Sequence, residues 1–242
     1  MSEARPLAFA KLAQFDTPTV LNVIELLDVR PRDEGYTDAT IKAVYPEQPP
    51  IVGYATTAKF RSSRPADDEP AYGGLGEQVE SFVKKIPEPR IVVFEDADPS
   101  PVAATYGEVM CSIYQSFGCV GLITSGAARD IEQVKPLGFP CFASSAISSH
   151  GYCRIVDFDT DVTVGGLHIQ PGDVIHADAN GVAKIPTEYV DAVAEGCGLL
   201  VEAENEIIHY VRSGTPTLEG LAAARQRCAD EIAKIRAQIT RA

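Results

Sequence analysis

Basic side chains are scarce in this sequence: Lys and Arg number 21 against 34 Asp and Glu in 242 residues, a formal charge of −13. Such a chain repels polyphosphate on average, which excludes nucleic acid as a partner. Long apolar runs are missing too. No window approaches the roughly 18 residues of a membrane span, and the opening MSEARPLAFAKLAQFD has no apolar core behind its charges. The expectation is a cytoplasmic protein with no membrane partner. The six cysteines contain no C-x-x-C pair and the four histidines no H-x-H or H-E-x-x-H spacing, so free buried thiols are expected and a histidine-built zinc site is not. Any metal has to be held by oxygen. A G-x-G-x-x-G loop behind a strand is also absent: Gly73-Gly74-Leu75-Gly76 follows a polar stretch, which excludes a dinucleotide fold and methyl transfer from an S-adenosyl donor.

What is present is enough apolar residue, 45% of the chain, to bury a sizeable core. Asp16-Thr17-Pro18 is a helix start ahead of the apolar-periodic TVLNVIELLD, predicting a helix over 17–28. TIKAVYP and IVGYATTAKF read as strands, RSSRPADDEP as a loop ending near Tyr72, GLGEQVESFVKKI as a helix and RIVVFEDADPSP as a buried strand closing in a turn. GEVMCSIYQSFG, CVGLIT, ARDIEQV and PCFASSA continue the alternation as helix, strand, helix and strand, the pattern of an α/β fold. From Arg154 to Pro186, GG, PGD and ANG turns break short strands into a β-meander pattern, with Asn180-Gly181 suited to a tight hairpin turn. Two amphipathic helices follow, over Tyr189–Arg212 and TLEGLAAARQRCADEIAKIRAQI. With no clean linker, one domain is expected over 1–242, its core over about 17–186 and a helical C-terminal extension over 187–242.

Within this frame Arg129-Asp130 stands just past the small-residue turn Ser125-Gly126-Ala127-Ala128 that ends a predicted central strand. Ligands of open α/β sheets gather at that end. One strand earlier, Tyr106-Gly107-Glu108-Val109-Met110 opens a helix whose first N–H groups favour an anion. Arginine matches a carboxylate with a planar fork, and aspartate is a hard ligand for Mg²⁺ or Mn²⁺. Together they suit a small keto acid held at both ends, with a Lewis acid stabilising an enolate without a Schiff-base lysine. The same residues also fit a helix-start aspartate beside a surface arginine, with Glu108 an ordinary first-turn acid, and Arg32-Asp33 supplies a second such pair in a plain polar loop.

From Glu108 to Arg129 the chain reads Glu-x20-Arg-Asp, with LGFPCFA at 137–143 and VGGLHIQPGDVIHADANGVAKIP at 164–186. This resembles the class II pyruvate aldolases acting on 4-hydroxy-4-methyl-2-oxoglutarate and 4-carboxy-4-hydroxy-2-oxoadipate, together with the RraA-type regulators of ribonuclease E. The resemblance covers roughly residues 17–30 and 90–214. It implies a three-layer β/β/α sandwich of the swivelling-domain type, assembled as homotrimers or hexamers, and a lyase that cleaves or decarboxylates a short 2-oxo acid through an enolpyruvate intermediate. By the same resemblance Asp130 binds Mg²⁺ or Mn²⁺, Arg129 holds the substrate carboxylate and the enolate oxygen, Glu108 sits near the metal's waters, and Gly107, Val109 and Met110 form the carboxylate cradle. A C-terminal glutamate of a neighbouring subunit completes some family sites, and Glu204 is the candidate, with Glu202 and Glu206 competing. The alternative is a non-catalytic regulator that binds and inhibits a ribonuclease. Two departures stand out: Ser125-Gly126 replaces the family's Asp-Gly ahead of the Arg-Asp pair, and the segment from Arg61 to Lys85 is longer than usual.

Overall fold

A computed structural model describes residues 4–65 and 73–240. The chain forms two compact units, Met1–Arg32 with Glu188–Ala242, and Asp33–Thr187. The loop expected from Arg61 to Tyr72 lies partly outside the described residues. No helix among those described is long and apolar enough to cross a membrane.

The first unit is helical, with α1 (Ala4–Leu12), α2 (Thr17–Leu27), α6 (Val190–Arg212) and α7 (Leu218–Ile239). Asp16 caps α2 as expected, its carboxylate accepting the Thr19 N–H at 2.9 Å. Pro18 then fits the first turn, where no N–H is needed, and Val20, Val23, Ile24 and Leu27 are buried. α6 packs against α1, α2 and α7. The first helix was not legible in the sequence because its apolar residues do not share one face: Leu7 is exposed while Ala8, Phe9 and Leu12 are buried, so no clean apolar stripe announces it.

In the second unit β1 (Lys42–Ala43), β2 (Ile51–Arg61), α3 (Leu75–Lys85) and β3 (Arg90–Asp96) are followed by β4 (Ala104–Tyr106), α4 (Glu108–Ser116), β5 (Cys119–Thr124) and β6 (Ala127–Ala128). Then come α5 (Ile131–Val134), β7 (Cys141–Ala143), β8 (Ser145–Ala146), β9 (Arg154–Phe158), β10 (Val162–Val164), β11 (Leu167–Ile169), β12 (Val174–Asp178) and β13 (Gly181–Ile185). The main sheet runs β1-β7-β5-β3-β2-β12-β13, with β9 also on β2. β2, β3, β5 and β7 are parallel, as the strand–helix alternation predicts.

Side-chain alternation along β3 builds three layers. Ile91 and Val93 face Val162, Val164, Leu167 and Ile169 of the separate hairpin β10-β11. Val92 and Phe94 face the helical side, with Phe82 of α3 and Cys111 and Tyr114 of α4. The order is therefore β/β/α. All six cysteines are buried and free. Arg90 is also buried: Nε donates to Ile86 O at 2.7 Å, and Nη1 donates to Phe117 O at 2.8 Å and pairs with the Glu88 carboxylate at 3.1 Å. The two carbonyl oxygens close α3 and α4.

The stretch after Arg154 is not one meander. β9 and β12 both pair antiparallel with the same edge of β2, β9 along Ala58–Arg61 and β12 along Ile51–Tyr54, because β2 is long enough to hold two partners. β10-β11 leaves to form the outer layer. The β12-β13 hairpin lies where the ANG turn predicts, with a small difference. Its loop is Ala179-Asn180 between the Asp178–Gly181 pair, only Gly181 has positive φ, and the Asp178 carboxylate accepts the Asn180 N–H at 2.8 Å. TIKAVYP is a strand only at Lys42–Ala43, and PCFASSA is two strands in different sheets.

Phe94 is fully buried and packs edge-on to Phe60 at 5.9 Å between ring centroids and tilted to Tyr114 at 6.2 Å. Phe94→Ala should cost about 3–5 kcal/mol, read as a lower urea midpoint by circular dichroism.

Candidate active site

The site follows from a repeated exit from the main sheet. After β3, β5 and β7 the chain continues into β4, β6 and β8, which pair with one another in a second, three-stranded parallel sheet. Arg129 therefore does not follow the central strand directly, as the sequence suggested; β6 intervenes. Tyr106 pairs with Ala128, so the next residues on the two strands, Gly107 and Arg129, emerge side by side.

Gly107 is in extended backbone, and its need for glycine is one of space. A Cβ there would lie 2.9 Å from Arg129 Nε and closer still to Asp130 Oδ2. Asp130 is in the left-handed region, with φ 55° and ψ 41°, which short polar side chains tolerate at modest cost. Its carboxylate does not cap its own helix α5. Instead Asp130 Oδ2 accepts the Glu108 N–H at 3.0 Å, satisfying the first donor of α4 and placing negative charge at that helix's positive end. Arg129 Nε lies 3.8 Å from the same oxygen. The N–H groups of Val109 and Met110 follow in the first turn of α4, before its first intrahelical bond from Cys111 N to Gly107 O. Tyr45 anchors α5 from the other side, its hydroxyl donating to Ile131 O at 2.8 Å.

Next to this pair is a cavity of about 330 Å³, lined by Arg129, Gly107, Val109 and Met110 and, deeper, by Tyr106, Thr105, Ala104, Leu75, His150 and Cys153. Its walls are mostly apolar. Burial pushes the Tyr106 phenol well above its ordinary range, and hydrogen bonding to Cys141, followed by burial, does the same for the Cys111 thiol. Neither group ionises in the neutral range.

The structure thus brings Gly107, Glu108, Val109, Met110, Arg129 and Asp130 together. Glu108 is exposed and is not among the described lining residues. Glu204 belongs to the helical unit, half-buried on α6. Two side chains were missed in the sequence. His150 lies in a segment with no recognisable motif. Asp96 ends β3 beside the Ser125-Gly126 turn: a Cβ on Gly126 would lie 2.9 Å from Asp96 Oδ2, and that oxygen is buried without a hydrogen-bond partner. Burial raises the Asp96 carboxyl above its usual range, against the Asp98 N–H that it accepts. A carboxylate from the neighbouring strand therefore stands near where the family's Asp-Gly would put one.

For a cation the donor chemistry is sparse. Among the described residues no three His, Cys, Asp or Glu side chains cluster as a cage. A single carboxylate such as Asp130 fits Mg²⁺ or Mn²⁺, hard ions that take one or two carboxylates and fill the rest of the shell with water and substrate oxygens.

Comparison with known proteins agrees with this architecture. The chain is 33% identical over 99 residues to a protein of Halalkalibacterium halodurans provisionally named 4-hydroxy-4-methyl-2-oxoglutarate aldolase, covering 40% of this chain and 47% of that one. It is 26% identical over 141 residues to protein DlpA of Legionella pneumophila, covering 57% of this chain and 23% of the other. The chain thus spans about half or less of the length of these curated relatives. The crystal structure of Streptomyces coelicolor RraAS2, described as an unusual member of the RNase ES inhibitor RraA family, shares the fold at a TM-score of 0.63 and 19% identity, covering 82% of this chain and 93% of that one. Residues 19–183 match the model of the RraA-like family, described as Aldolase/RraA, and the chain belongs to that family.

Proposed function

We propose that this protein is a lyase that cleaves a short 4-hydroxy-2-oxo acid by retro-aldol reaction, or decarboxylates its β-keto analogue, through an enolpyruvate intermediate. The observation that carries the reading is the Arg129–Asp130 pair, held against the first turn of α4 at the edge of an apolar cavity. The Arg129 guanidinium binds the substrate carboxylate and neutralises the enolate oxygen as charge develops there. The N–H groups of Val109 and Met110 receive the carboxylate at the positive end of α4. Asp130 holds Mg²⁺ or Mn²⁺, which when bound supplies Lewis-acid polarisation of the 2-oxo group. Apolar walls exclude water and strengthen these charge interactions. Glu108 lies at the exposed rim as a proton carrier to solvent, and Glu204 of a second copy completes the site in a homotrimer or hexamer. The relative provisionally named as an aldolase supports this reading.

The test is pyruvate release from oxaloacetate and from 4-hydroxy-4-methyl-2-oxoglutarate, with Mg²⁺ and with excess EDTA. Release should require the metal, and Asp130→Asn and Arg129→Ala should each lower kcat/KM about 100-fold or more. No release from either compound by the unaltered protein would move the reading to non-catalytic partner binding, the role printed for the RNase ES inhibitor family. Gly107→Ala should leave the circular dichroism spectrum intact while lowering kcat/KM about 100-fold, since the added methyl would meet Arg129 Nε at 2.9 Å.

A further inference from the structure

The Asp130 carboxylate has to be held in place, and the backbone that carries it does not hold itself. Asp130 is left-handed, and the element it opens, α5, has four residues. A helix that short is not stable alone. Its bonds run from the Gln133 and Val134 N–H groups back to Asp130 O, at 3.0 and 2.9 Å, so α5 and Asp130 hold or move together.

The turn after β1 grips α5 and the residue that ends it, Lys135. The Tyr45 hydroxyl donates to Ile131 O at 2.8 Å, Lys135 Nζ pairs with Glu47 at 2.9 Å, and Gln48 Nε2 reaches Lys135 O at 3.4 Å. The last two are weak. Glu47 and Lys135 are both more than half exposed, where an ion pair contributes little, and 3.4 Å is long for a hydrogen bond. Tyr45 differs from them: it is 5% exposed, in the core cluster that also holds Tyr106 and Cys111. Burial pushes its phenol further above the ordinary range, so the hydroxyl stays a donor at neutral pH. Ile131 O also accepts the Lys135 N–H. A carbonyl oxygen has two lone pairs, and the hydroxyl fills the second, one residue beyond Asp130.

We propose that Tyr45 is a positioning residue for the metal: by holding the Ile131 carbonyl it keeps Asp130 left-handed, with the carboxylate set against the first turn of α4 before a cation binds. The role rests on the reading above, in which Asp130 holds Mg²⁺ or Mn²⁺. Without the hydroxyl, Ile131 O keeps the Lys135 N–H and the ring keeps its place in the core, so the fold persists. The backbone at Asp130 is then ordered at the expense of metal affinity.

The experiment measures Mn²⁺ affinity, by electron paramagnetic resonance of the free ion, for the unaltered protein and for Tyr45→Phe, Glu47→Gln and Asp130→Asn, with circular dichroism on each. Tyr45→Phe should keep the native spectrum and bind Mn²⁺ about 10-fold more weakly, Glu47→Gln should change the affinity by less than about 2-fold, and Asp130→Asn should abolish binding. An affinity in Tyr45→Phe equal to that of the unaltered protein would overturn the proposal. So would an equal loss in Glu47→Gln, because any loosening of α5 would then suffice, and so would a lost native spectrum in Tyr45→Phe, because the hydroxyl would then serve the fold. Mn²⁺ binding that survives Asp130→Asn, or no binding by the unaltered protein, would overturn the metal reading itself, and the role of Tyr45 with it.

Discussion

The pairing of β4 with β6 is the constraint on which the site depends. Register in a sheet is all-or-none: a slip of one residue turns every side chain to the opposite face. With Tyr106 opposite Ala128, Gly107 and Arg129 leave the sheet together and Asp130 reaches the first N–H of α4. The two strands have three and two residues, too few to be stable alone. They are held because β3, β5 and β7 deliver them already parallel from the main sheet, whose own order is fixed by burial on both faces.

Asp130 shows how local strain is turned to use. A left-handed aspartate is costlier than a left-handed glycine, and glycine would satisfy the backbone at that point. The carboxylate is retained because its partner is another helix rather than its own. Sites often keep such residues where the surrounding structure over-determines them, and here the surroundings are the close fit at Gly107 and the Tyr45 anchor on Ile131.

Much of the second unit was legible in the sequence because its elements are long and strongly patterned. β2, β3, β5, α3 and α4 each present a largely buried run or an amphipathic face. The Glu-x20-Arg-Asp interval was legible too, since it spans α4, β5 and β6 of one crossover. What escaped were elements specified only by their neighbours. β4, β6 and β8 have too few residues for any period to show, and the partition of the last strands between the edge of β2 and the separate hairpin β10-β11 depends on the length of β2. His150 and Asp96 escaped for a related reason: a single side chain becomes part of a site only through a fold that brings distant loops to it. The Ser125-Gly126 departure looked like a lost acid. Asp96 on the neighbouring strand nevertheless places a buried carboxylate oxygen against that turn.

The buried Arg90 gives the spacing of the motif a mechanical meaning. At one end of α4 a carboxylate meets the helix's first N–H, and at the other a guanidinium meets the carbonyl that closes it. Opposite charges thus grip a helix whose macrodipole points the right way for both, and the element behaves as a ruler clamped at its two marks. One residue more or fewer in α4 would rotate its first turn by about 100°, so that its first N–H would turn away from the Asp130 carboxylate. The interval between the glutamate and the Arg-Asp pair is then a tolerance of the machine, and related chains should vary in loops and walls far more readily than in that length.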